Sequence, residues 1–132
     1  MNGQKEWAAL LGRILLAGLF VISGYEKIPG FEGTAGFIAS KGLPMPQVLA
    51  AIAILIELGG GLAVLLGWKA RWAALVLAIF LIVITPIFHG FWAAPPDQMM
   101  EQQIHFMKNV SILGGTLLLF AFGPGRYSVD KA

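Results

Sequence analysis

Four stretches of about twenty residues, each nearly free of charge, constrain this chain more than anything else in its sequence. A hydrocarbon bilayer core about 30 Å thick needs around 20 mostly apolar residues per helix. The stretches over about 7–28, 46–67, 72–89 and 104–122 meet that length. The first is interrupted by Arg13 and ends in Glu26 and Lys27, and the second has Glu57 as its only charge. The third is uncharged, and the fourth opens with His105 and Lys108. A water-soluble domain of this size buries only about 60–70% of the surface its unfolded chain exposes. With 132 residues, 58% of them hydrophobic and 12% charged, such a domain would leave too much apolar surface in water. The same arithmetic excludes a disordered chain and a second domain. What remains is an all-α, polytopic four-helix membrane bundle, one transmembrane domain over residues 1–132.

Turn chemistry supports the cuts. Pro29-Gly30 stops the first helix, and Gly42-Leu43-Pro44-Met45-Pro46 introduces the second, because proline is tolerated in a first turn. Trp68-Lys69-Ala70-Arg71-Trp72 is a tight basic connection with tryptophans at headgroup depth. Gly90 and Pro95-Pro96 open the third connection, and Gly123-Pro124-Gly125 ends the last helix. The first apolar segment is too long for a secretory leader and lacks a small-residue cleavage site, so it is expected to stay as a helix. In the first connection, Phe31, Ala35 and Ile38 fall at helical spacing, which fits a short interfacial helix roofing the bundle as well as an irregular surface loop.

Charge sets the expected orientation. Lys5, Arg13, Lys69, Arg71, Arg126 and Lys131 lie toward the end that carries both termini; Lys27, Lys41 and Lys108 lie toward the other. Positively charged residues accumulate on the cytoplasmic side, so both termini are expected there. A net charge of only +2, spread thinly, offers no footprint for nucleic acid. The absence of cysteine removes disulfides, thiolate metal sites and iron–sulfur clusters. Two histidines, without a two-histidine helical motif, give no basis for a metal site.

Ionisable groups inside a membrane cost about 2.5–3.5 kcal/mol each on insertion scales, so each needs a partner or a purpose. Glu57 shares its helix face with Ala50, Ala53, Gly60, Gly61 and Val64, small residues that point it into the bundle. Counting depth at 1.5 Å per residue puts Arg13 within side-chain reach of Glu57, as an ion pair that fixes helix register or as part of a functional carboxylate site. Toward the opposite end, Lys27, His89, Lys108 and Asn109 form a candidate cluster of donors suited to an anion, a carbonyl or a quinone head. The glycine groups Gly59-Gly60-Gly61 and Gly114-Gly115 exceed one internal seam and fit a homo-oligomer as well as packing within one bundle.

The order of these pieces is itself informative. Gly12-Arg13, Ser23-Gly24-x-x-Lys27, Gly33-Thr34, Gly42-x-Pro44, Glu57-Leu58-Gly59-Gly60, His89-Gly90-Phe91-Trp92, Lys108-Asn109 with Leu113-Gly114-Gly115, and Gly123-Pro124-Gly125-Arg126 together resemble the DoxX family of small bacterial membrane proteins. The resemblance runs from Leu11 to Asp130. It implies a four-helix inner-membrane protein related to the membrane subunit of thiosulfate:quinone oxidoreductase and to redox-associated partners. Within that family activities are mixed, and whether this chain is an enzyme stays open. Having no cysteine, the chain would enter electron transfer by binding a quinone or by docking a redox partner protein.

Two functions fit. One is a redox-associated component that binds a quinone-like or other small molecule between helices near the outer side, with Phe20, Phe88 and Phe106 as apolar walls and His89 as proton donor. The other is a non-enzymatic scaffold, assembly partner or small conduit. Four spans with both termini inside make a direct prediction. Reporter fusions at Ala132 and in the Pro95-Pro96 connection should lie on opposite sides of the membrane; the same side for both would overturn the span count.

Overall fold

The computed structural model describes residues 3–131, so Met1, Asn2 and Ala132 of the expected 1–132 domain lie outside the described residues. Five helices follow in order: α1 (Gly3–Glu26), α2 (Phe31–Ser40), α3 (Pro46–Leu66), α4 (Ala70–Phe88) and α5 (Met99–Phe122). Among the described residues there is no strand. Helices α1, α3, α4 and α5 are long and apolar enough to cross a membrane. Helices α1 and α5 start several residues before their apolar stretches, since nothing in Gly3–Glu6 or Met99–Gln103 breaks a helix. The segment Phe31–Ser40 is helical, with Ala35 and Ile38 buried, so the irregular-loop alternative falls away.

Helix α3 lies between α1 and α4, and α5 packs along α4. The interior is slim: Ala17, Phe20, Val64, Leu77 and Leu81 form its buried core. Leu15, Ile22, Leu55, Ile79, Val83 and Leu118 are instead exposed, as a bundle facing hydrocarbon requires. The small helix α2 lies across the start of α3. Ala35 and Ile38 meet Ala50 there, with Phe31, Leu43, Leu49 and Phe88 around them.

The α1–α3 seam is close enough to exclude side chains. A Cβ on Gly24 would lie 2.7 Å from the backbone nitrogen of Leu58, so the two helices touch main chain to main chain. Three residues further along α3, the position of Gly61 falls against Phe20 and Val21. Gly60 faces Leu77 and Gly115 faces Leu16, so several of the glycines considered for an oligomer serve internal seams. Gly59 and Gly114 have open space at the position of a Cβ. At Leu55–Gly59 helix α3 widens into a π turn, a local insertion that occurs frequently at functional sites.

At the end carrying both termini, the carboxyl-terminal segment folds back over the bundle. Arg13 is buried and donates to the carbonyl oxygens of Pro124 at 2.7 Å and Tyr127 at 2.7 Å, and to Leu65 at 3.3 Å. The Asp130 carboxylate accepts from the amides of Lys69 and Ala70, both at 2.9 Å, and so caps the start of α4 from sixty residues away. Glu6 accepts from the Arg126 amide, and the Trp7 and Tyr127 rings lie 5.2 Å apart. Gly67, at φ +71°, closes α3 with Ser128 directly against it.

Arg13 therefore binds the tail. Substituting Arg13→Leu strands those carbonyls, each costing about 1–3 kcal/mol where buried. The variant should lose thermal stability in detergent, and proteases should clip the segment after Gly123 faster than in the wild type. Unchanged clipping would show that the guanidinium does not hold the tail.

Candidate ligand-binding cavity

Between α2, the first half of α3 and the second half of α4 lies a cavity of about 890 Å³, toward the end away from the termini. Small-molecule sites range over about 300–1,000 Å³, so this space is large enough for an organic ligand. Its walls are apolar: Ile52, Ile56, Phe80, Val83, Ile84 and Phe88 are among them. They come from one face of each helix, spaced by three and four residues. The Phe37 and Phe88 rings, 5.3 Å apart, close it beneath α2. Its polar groups come from Lys27, Thr34, Glu57 and His89.

The expected Arg13–Glu57 pair is not formed. Glu57 instead pairs with Lys27, whose Nζ lies 2.9 Å from Oε1 and 3.0 Å from Oε2. The cause is helix register. With Gly24 against Leu58 and Val21 against Gly61, the antiparallel α1–α3 seam sets Lys27 beside Leu55, next to Glu57. The same register carries Arg13 to the level of Lys69, past the end of α3, from where its side chain reaches back to the Leu65 carbonyl, eight residues or about 12 Å from Glu57. Burial is uneven across the pair: the Lys27 side chain keeps 28% of its surface exposed and Glu57 only 6%. Glu57 is thus held inside while the ammonium faces the cavity.

The proposed donor cluster divides. Lys27 and His89 line the cavity, whereas Lys108 and Asn109 do not. Lys108 is exposed on α5. Asn109 donates to Thr85 Oγ1 at 3.2 Å, tying α5 to α4 one turn below His89. Both share an end of the bundle with Lys27, but α5 packs against α4 and contributes no residue to the cavity lining. Of the expected aromatic walls, Phe88 is in place. Phe20 belongs to the core under α1, and Phe106 stacks with Phe91 and Trp92 at 5.4 and 5.6 Å. Sequence reasoning missed Thr34 and Phe37, whose signal was the helical spacing of α2 itself.

His89 is held from α5. Its Nδ1 lies 2.9 Å from Gln102 Oε1, and its ring packs 5.1 Å from that of His105. An amide oxygen only accepts, so Nδ1–H donates, and a neutral His89 keeps Nε2 as an acceptor.

A bundle with four helices long and apolar enough to cross a membrane defines a multi-pass membrane protein. The DoxX family model matches residues 8–90, and the chain belongs to the DoxX family, an integral protein of the bacterial inner membrane. It is 38% identical to the inner membrane protein YqjF of Escherichia coli over 131 residues, covering 99% of this chain and 95% of that one. To the inner membrane protein YphA of the same organism it is 37% identical over 122 residues, 92% of this chain and 87% of the relative. A surfeit locus protein 4 homolog of Schizosaccharomyces pombe is 28% identical over 132 residues, 98% of this chain but only 39% of that longer protein. No solved structure matches.

The pairing predicts a specific pattern of coupling. Breaking a buried ion pair from one side costs on the order of 3–5 kcal/mol, and the exposure of Lys27 brings this pair toward the lower end. Lys27→Gln and Glu57→Gln should each destabilise the protein in a detergent melt, and the double variant should lose less than the sum. Arg13→Gln with Glu57→Gln should be additive. Additivity at Lys27 and Glu57 would dissolve the pair.

Proposed function

We propose that the protein binds a small amphiphile, a quinone-like molecule or one of similar shape, in the cavity between α2, α3 and α4, and serves a redox partner in the membrane. The observation that carries this reading is an apolar space of about 890 Å³ whose lining includes the polar groups of Lys27, Thr34, Glu57 and His89. The residues present suit such a molecule: Lys27 offers N–H to a ring oxygen, and the Phe37 and Phe88 rings offer faces on which a flat head can rest. A bound quinone would supply the electron chemistry that a chain without cysteine lacks. With most Lys and Arg at the termini end, that end is cytoplasmic on this reading, and the cavity lies in the outer half of the bilayer.

Protein purified gently from membranes should retain the molecule. Mass spectrometry of the extract should find one hydrophobic species near one per chain, enriched over its share of the membrane and lost in Ala53→Phe, which fills the wall of the cavity. An extract holding only bulk lipid in membrane proportion, equal for both proteins, would sink the proposal.

A further inference from the structure

As a charge distribution, the polar end of the cavity is close to neutral. Lys27 Nζ spans both oxygens of Glu57 at 2.9 and 3.0 Å, so each charge is cancelled at contact. An anionic head entering beside Lys27 would gain that ammonium and be repelled by the carboxylate at nearly the same distance. It would also lose its hydration, at a cost of several kcal/mol per ion. A cationic head meets the mirror image of the same balance.

Hydrogen-bonding capacity is the remaining basis for recognition. An ammonium has three N–H donors and a carboxylate about four acceptor positions, so the pair leaves both donor and acceptor capacity unused. In the neutral tautomer whose Nδ1–H donates to Gln102 Oε1, His89 adds Nε2 as a second acceptor. The Thr34 hydroxyl works in either sense. A head that only accepts, such as a bare carbonyl, uses Lys27 and leaves the remaining acceptor capacity of Glu57 and His89 unused. A hydroxyl both accepts and donates.

The approach to the cavity points the same way. Ile52, Ile79, Val83 and Ile87 line it and are also exposed on the outer surface of α3 and α4, so its open side faces the bilayer core. A ligand arriving through hydrocarbon cannot bring a net charge cheaply.

We propose that the cavity selects an uncharged, hydroxyl-bearing head on an apolar body, and discriminates against carboxylate amphiphiles of the same length. This rests on reading the cavity as an amphiphile site. Two sources share the chemistry: a hydroquinone and a neutral lipid such as a monoacylglycerol.

The full chain in phosphatidylcholine nanodiscs can be photolabelled with diazirine-bearing hexadecanol and, at alkaline pH, with palmitate carrying the same group. The alcohol should label the cavity wall about tenfold more than the acid. Among competitors, a decyl hydroquinone kept reduced should displace it better than the matching quinone, and displacement by monoacylglycerol but not by hydroquinone would assign the site to lipid. Glu57→Gln leaves Lys27 unopposed and should shift the preference about tenfold toward palmitate. Should that variant fail to assemble, the wild-type comparison decides alone. Equal or stronger labelling by palmitate, or a quinone that competes better than its hydroquinone, overturns the head-group selectivity while leaving the cavity a binding site. No labelling of the cavity by either probe overturns both.

Discussion

Main-chain contact between α1 and α3 at Gly24 is the constraint from which the placement of charge follows. A Cβ at that position would collide with the Leu58 backbone, so the seam tolerates one register and few residue types. That register brings Lys27 to Glu57 and leaves Arg13 a bundle-end away from it, beside Leu65. The π turn at Leu55–Gly59 coincides with the contact and carries Glu57 itself. Two cations on one stripe of α1 thus reach opposite solutions. One neutralises a carboxylate within the bundle, and the other spends its donors on carbonyl groups of the tail.

The division between apolar scaffold and polar site follows from the slimness of the bundle. The core is little more than Ala17, Phe20, Val64, Leu77 and Leu81, and the cavity lies beside it, where α2 covers α3 and α4. Small residues at the seams let the backbones approach, and van der Waals contact there does what the hydrophobic effect does in water. Holding Glu57 inside such a bundle requires Lys27, and the pair then fixes the electrostatic character of the space beside it.

What the sequence made legible were features that depend on composition along one helix. The four spans, their terminators, the helix at Phe31–Ser40 and the interior position of Glu57 all come from runs and spacings. Pairing was not legible, because it depends on relations between helices. Depth counted from the ends of straight helices puts Arg13 near Glu57, whereas the register fixed at the Gly24 contact puts Lys27 there instead. Lys108 and Asn109 share an end with His89, yet the rotation of α5 sends one outward and the other to Thr85. The family pattern lists these polar residues together in order along the chain, whereas their assignment to cavity, seam or surface is set by packing.

The tail also imposes an order on how the molecule is made. Arg13 enters the membrane with the first helix to be synthesised, but the carbonyl groups of Pro124 and Tyr127 exist only after every later span has left the ribosome. Asp130, which caps α4, arrives later still. Until then a guanidinium within the first span must find other acceptors, in lipid headgroups or in the insertion machinery. The segment after Gly123 therefore closes the bundle at the end where α1 begins, and Arg13 and the start of α4 gain these partners only once α5 has been made.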